Sequence, residues 1–231
     1  MSDINNCQFY CLYNNDMKKK SMENRFQKLV IECKFYSGIK HTDNRVKYAG
    51  NKINKRQWTM TYSHLDIIHD FCYNNNNNNK YAIICEDDIL IHKNFKEILR
   101  KIVNDFNILE LDILLLGYIL PYKIDNDNIL SNYPLKCPMR LDAQFKYHEY
   151  PDYLCGSHMY MITKKFGNYL LDKYYYNTFN GLNEYVFMVD KTIIKNGNRA
   201  LLYPMLAIED DNQEDKYHKF CHKIHYNKDY I

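Results

Sequence analysis

Glycine and proline are scarce in this 231-residue chain, at seven and five. That scarcity excludes collagen-like and turn-dense repeat architectures, and no fixed-period self-similarity replaces them. An excess of one charge is lacking too. Thirty-one Lys+Arg against 28 Asp+Glu leave only +3, so no uniform basic field marks a dedicated nucleic-acid binder. No apolar run reaches the ~18 residues that a membrane span needs, and the opening MSDINNCQFYCLYNND is too polar for a secretory signal. Eight cysteines (Cys7, Cys11, Cys33, Cys72, Cys85, Cys137, Cys155, Cys221) include no Cys-x-x-Cys pair, and no Asn-x-Ser/Thr sequon occurs. The expectation is a soluble, cytoplasmic protein with free buried thiols and no disulfide framework.

What the chain has in quantity is apolar surface. Apolar residues make up 46% and aromatics 15%, with 23 tyrosines, enough to bury the core of one domain over residues 1–231, with 215–231 read as a polar C-terminal tail. Cys7 to Tyr13 reads as a first strand, and Asn14-Asn15-Asp16 as a turn into a helix from Met17 to Leu29. Leu29 to Tyr36 can be a second strand. Lys55 to Cys72 reads as a helix, with Trp58, Tyr62, Leu65 and Ile68 on one face. Asn74 to Asn79 reads as a solvated loop.

Tyr81 to Cys85 is a continuous apolar run, as a buried parallel strand requires, and Leu111 to Gly117 is another. Between them Asn94 and Glu97 are spaced as a capping box for a helix carrying Phe95, Ile98, Leu99, Ile102, Val103 and Phe106. Residues 118–150 form a long irregular excursion. Leu154 to Thr163 is again strand-like, and Thr163 can cap a following helix. The pattern is α/β, a mixed and mostly parallel central sheet flanked by helices.

The first strand run to end in acids ends in three, Glu86, Asp87 and Asp88. Ligands of open α/β sheets bind at the carboxyl ends of strands. Three adjacent carboxylates repel one another unless water or a cation neutralises them, and oxygen ligands favour Mn²⁺ or Mg²⁺. A solvated acidic turn explains the triplet equally well from composition alone.

The order of motifs resembles glycosyltransferase family 25, which includes bacterial lipopolysaccharide sugar transferases and collagen β-galactosyltransferases. The resemblance rests on Ser63-His64-Leu65, YAIICEDD (81–88), Phe95, ELDILLLG (110–117), CGSHMYMITKKF (155–166), Val189-Asp190 and Leu202-Tyr203-Pro204, in that order. It implies a GT-A nucleotide-sugar fold and an inverting, metal-dependent hexosyltransferase. The donor would be a nucleoside-diphosphate sugar of the UDP type, and the acceptor a hydroxyl on a glycan, lipid-linked sugar or protein. It implies Glu86 and Asp88 as metal ligands, and Ser63, His64, Asp87 and Gly156 around the donor. Tyr160 fits either a sugar-site wall or plain core.

One difference from the family lies after the first strand, where Lys18, Lys19 and Lys20 stand in place of an Arg-containing turn. These lysines can meet a diphosphate or simply start a solvated helix. Inverting transfer also needs a base for the acceptor hydroxyl. Asp190 is the first candidate, and Glu209, Asp210 and Asp211 are the second group. His218, Cys221, His222 and His225 have near-zinc spacing, although a solvated basic helix explains them as well. A metal-dependent phosphohydrolase and a catalytically silent protein of the same fold are the competing readings.

Overall fold

The computed structural model describes residues 4–47, 49, 52–74, 78–124, 131–136, 144–176, 187–211 and 215–231, with 52–54 as backbone alone. Cys137 and Asn75 to Asn77 lie outside the described residues.

Strands β1 (Cys7–Tyr13), β2 (Cys33–Ser37), β3 (Tyr81–Glu86), β5 (Ile113–Ile119), β6 (Lys146–His148), β7 (Cys155–Thr163) and β8 (Arg199–Tyr203) form one sheet in the order β2-β1-β3-β7-β5-β8-β6. β2, β1, β3, β5 and β8 run the same way, while β7 and β6 run against them. The mixed, mostly parallel sheet is therefore as the apolar runs predict.

Alternate residues of each strand feed two cores. Tyr10, Leu12, Ile84, Leu115 and Tyr160 pack with α2 (Lys52–His69), α4 (Lys164–Leu170) and α5 (Val189–Thr192). Phe9, Cys11, Ile83, Cys85 and Leu114 pack on the other side with Met22 and Phe26 of α1 (Asp16–Lys28) and Phe95, Leu99 and Phe106 of α3 (Phe95–Ile108). In a sheet covered on both faces, period-2 alternation sends residues of both parities into core, which is why the central strands β1, β3, β5 and β7 read as nearly unbroken apolar runs.

Several boundaries move, each for a local reason. Leu29 closes α1 through its N–H, and Val30 turns with φ +53°, so β2 starts only at Cys33. The capping box before α3 does not form. Asn94 has φ −97° and ψ 21°, so its side chain makes no cap hydrogen bond, and its N–H bonds the His92 ring instead. Asn79, at the end of the asparagine run, is buried and donates to Gln8 rather than to water. Cys155 is exposed, against the expectation of buried thiols, while Cys7, Cys11, Cys72, Cys85 and Cys221 are buried thiols outside any disulfide.

Two features decide the geometry of the site. β1 lies between β2 and β3, so the chain leaves β1 to one side and returns on the other. The carboxyl ends of β1 and β3 thus flank a switch point of the kind where α/β proteins bind ligands. In addition, β4 (Ile89–Ile91) and β9 (Ala207–Glu209) pair antiparallel with Ile89 opposite Glu209. This ribbon carries the second acidic cluster to the first, and the Asp210 N–H donates to the Asp88 carbonyl at 2.7 Å. The presumed tail is folded. Lys216–His225 forms α6, and Ile231 exchanges both backbone hydrogen bonds with Ile91.

Candidate active site

Glu86 is the last residue of β3. Its Oε1 accepts the Ser157 hydroxyl at 2.7 Å and faces His64 Nε2 at 3.7 Å. His64 is fully buried on α2, and its Nδ1 is hydrogen-bonded to the Tyr160 hydroxyl at 2.8 Å. Burial alone would raise the Glu86 carboxyl. The His64 ring, the charge of His158 and the Ser157 hydroxyl overcome that and hold it at about 2.

Asp87 is buried and locks the end of β1, accepting the Asn14 N–H at 2.7 Å. Burial, reinforced by the charge of Asp88, leaves its pKa raised despite Asn14 and Lys18. Lys18, in the first turn of α1, reaches Asp87 at 3.5 Å and Asp88 at 3.2 Å. Of the three lysines there, Lys18 alone turns inward to the acids. Lys19 pairs with Glu23, and Lys20 is exposed.

Across the ribbon, Glu209 accepts the His218 Nδ1 proton at 2.6 Å and faces His158 Nε2 at 3.7 Å. One ligand atom from each of His158, Glu209 and His218 lies within 4.8 Å of the others. Burial opposes charge on His158, yet its hydrogen bond to Glu209 and the charges of Glu86, Glu209 and Asp88 push its pKa up to about 9. The zinc-like spacing in α6 does not converge. His222 donates to the Glu209 carbonyl, His225 to the Leu120 carbonyl, and Cys221 faces the core, so only His218 joins the cluster.

Besides Glu209, the other base candidates are in different settings. Asp190, on α5, accepts the Gly156 N–H at 2.8 Å. Burial raises its carboxyl, and the charge of Glu86 adds to the effect. Asp210 is committed to Arg25 at 2.5 Å, and Asp211 is exposed on a turn.

Ser63 spends its hydroxyl on backbone groups. Its hydroxyl donates to the Thr59 carbonyl and accepts the Ile39 N–H. Sequence reasoning passed over Ser157 and His158. For His158 the signal was period-2 alternation, which puts Gly156, His158 and Tyr160 on one face of β7, and Ser157, on the other face, had no such signal. A cavity of about 530 Å³ lined by Gln8, Glu32, Asn79 and Lys96 lies at the amino end of β1, the opposite edge from this cluster.

The model of glycosyltransferase family 25 (LPS biosynthesis protein) matches residues 10–193, most of the chain. The chain belongs to glycosyltransferase family 25. A solved structure, a glycosyltransferase involved in the glycosylation of the major capsid of PBCV-1, is similar over 94% of this chain and 98% of its own. The two share 9% identity at a TM-score of 0.45. No curated protein matches the chain. The family 25 match includes Glu86, Asp87, Asp88, His158 and Asp190 and ends before Glu209 and His218. Among the described residues no helix is long and apolar enough to cross a membrane.

Two expectations follow for this family 25 protein. Gly156 has φ +112°, and a Cβ there would stand 2.6 Å from the Ile119 nitrogen. Gly156→Ala should therefore cost about 3 kcal/mol through backbone strain and overpacking, or roughly 6–12 °C in melting temperature. An unchanged melting curve would show that β7 can shift to make room.

The second concerns pH in chelator-treated protein. His158 is raised from 6.5 to about 9 on folding, so its stabilisation is complete below pH 6.5 and is lost as pH rises through 9. Glu86 is lowered from 4.5 to about 2, so its contribution is present above pH 4.5 and is lost as pH falls towards 2. The contribution of this pair should be greatest between about pH 4.5 and 6.5, and the part due to His158 should fall by on the order of 2–3 kcal/mol towards pH 9. Urea unfolding at pH 6 and pH 9 measures it, and equal stability at both would contradict the His158 environment described.

Proposed function

We propose that the protein transfers a hexose, with inversion, from a nucleoside-diphosphate sugar of the UDP type to a hydroxyl on a glycan, lipid-linked sugar or protein. The observation that carries this reading is the β4–β9 ribbon, which gathers Glu86, Asp88, Glu209, His158 and His218 beside the β1/β3 switch point. Imidazole and carboxylate donors in one group suit Mn²⁺ better than Mg²⁺, which prefers oxygen ligands alone. Asp88, Glu209, His158 and His218 would hold the ion, with Glu86 adding charge from its anchored position. When bound there, Mn²⁺ supplies charge stabilisation for the departing diphosphate.

The remaining work belongs to the chain. Asp87 fixes the β1–α1 turn through Asn14. Lys18 offers a cation at the start of α1, where its charge can meet a phosphate once the acids are otherwise neutralised. His64 and Tyr160 hold Glu86 in place. Asp190, with its raised pKa and its orientation fixed by the Gly156 N–H, takes the proton from the acceptor hydroxyl.

Thermal denaturation with Mn²⁺ and with UDP, GDP or CMP tests the donor site. A nucleotide at about 100 times its Kd adds ~2.7 kcal/mol, or roughly 5–10 °C, and the gain should require metal and nucleotide together. No gain with any pair would defeat the reading. Mass spectrometry of donor hydrolysis across a nucleotide-sugar library then identifies the sugar.

A further inference from the structure

Helix α6 shows three separate faces. His218, Cys221, His222 and His225 point inward, and His218, His222 and His225 bond to Glu209 and to backbone carbonyls. Tyr217, Phe220 and Ile224, spaced three and four apart, form a second stripe. Tyr217 is 50% exposed, Phe220 53%, and Tyr226 just beyond the helix 50%. Lys216, Lys219 and Lys223 repeat the same spacing one position earlier, about 100° round the helix, and all three are exposed.

The charge here is unlike that of the rest of the chain. Residues 216–228 hold four lysines and no Asp or Glu, whereas the whole protein is nearly balanced. Of the adjoining acids that are described, Asp215 caps the helix through the Tyr217 and His218 N–H groups, and Asp229 pairs with Lys93. Scattered exposed aromatics need no explanation. An aromatic stripe bordered by a lysine stripe on a well-anchored helix is a contiguous surface of one character.

We propose that this face of α6 docks on an anionic lipid surface. Lysines next to such a surface gain from its negative potential, and their long stems let the ammonium groups stay at headgroup level. Phe220 enters the acyl boundary, while Tyr217 and Tyr226 sit at the interface with ring buried and hydroxyl wet. A helix of ten residues, roughly 15 Å long, with one phenylalanine gives reversible binding and not a permanent anchor. Charge complementarity selects lipid headgroups, and the aromatic stripe separates a lipid surface from a soluble polyanion. Because the inward face of α6 carries His218, docking also brings the candidate active site to the surface, which on the proposed function favours a lipid-linked acceptor.

Sedimentation with vesicles, in the absence of nucleotide and metal, tests docking independently of any transferase activity. Wild-type protein should bind phosphatidylcholine vesicles that contain phosphatidylglycerol, bind pure phosphatidylcholine weakly, and be released by high salt. Each lysine near the surface is worth about fivefold in partitioning, so Lys216→Gln/Lys219→Gln/Lys223→Gln should lower it by on the order of 100-fold. The control Lys28→Gln/Lys101→Gln/Lys165→Gln removes the same charge from exposed positions elsewhere and should change it by less than about threefold. Phe220→Ser should weaken binding at unchanged charge. The proposal is overturned if wild-type protein ignores anionic vesicles, if both triple variants lose binding equally, or if Phe220→Ser binds as wild type, since that last result would describe a polyanion site.

Discussion

Asp190→Asn is expected to slow sugar transfer by at least about 100-fold, the usual loss when a general base is removed, while leaving Mn²⁺ and UDP binding near wild type. The structure says why the fold should survive. The Asp190 carboxylate accepts one hydrogen bond, from the Gly156 N–H, and an asparagine oxygen can accept the same bond. The native carboxyl is also raised by burial and by the charge of Glu86. Replacing it with a neutral amide relieves that cost, so melting temperature should hold or rise. Activity should therefore fall without any loss of stability. The ligand-induced thermal shift gives the binding measurement, and product formation at saturating donor gives the chemical one. Loss of both would make Asp190 part of the donor or metal site and move the base to Glu209, Asp210 or Asp211. Of these, Asp210→Asn breaks the pair with Arg25 and should lower stability, whereas Asp211 is exposed and its replacement should leave the fold untouched.

The parts of the fold legible in the sequence were those that physics writes locally. YAIIC reads as a buried strand because both its faces are covered, and Thr163 caps α4 with its hydroxyl as its position suggests. The acidic end of β3 was legible for the same reason, since the apolar run stops where the sheet edge begins. Contacts made at a distance were not legible. β4 and β9 have three residues each, too few for any period to appear, and their pairing joins Asp88 to Asp210 across more than a hundred residues of sequence. The second acidic cluster thus read as an alternative to Asp190 for the base, when it adjoins the first. The helix at 216–225 read as a solvated basic helix, and its docking on the sheet was not legible. Its inward histidines satisfy backbone carbonyls, a use of histidine that leaves no mark in composition. Asn94 shows the converse, a motif with correct spacing but a backbone that keeps the side chain from reaching its partner.

Asp88→Asn and Glu209→Gln, measured side by side, locate the cation, and each is expected to remove nearly all Mn²⁺-dependent donor turnover. Both exchanges take away one negative charge at almost constant volume, so packing is a minor term. Asp88 holds the first acidic cluster against the ribbon through its carbonyl, a contact that substitution of the side chain leaves intact. Its carboxylate faces Lys18 at 3.2 Å, and the Asn variant should leave that lysine paired with Asp87 rather than unfold α1. Glu209 is different because it stands between two histidines. A glutamine there can still accept from His218, but it cannot balance the charge that it helps to hold on His158, so the variant should also lose stability at neutral pH. Asp87→Asn should cost the least of the three, since an asparagine oxygen can keep the Asn14 bond and the buried charge is relieved. Mn²⁺ titration of the folded variants separates the cases. Losses of at least about 100-fold in affinity for both Asp88→Asn and Glu209→Gln place the ion between the clusters. If Glu209→Gln binds Mn²⁺ as wild type does while Asp88→Asn fails, the ion sits on the triplet alone, and the His158–Glu209–His218 group is an ion-paired brace that fixes α6 to the sheet.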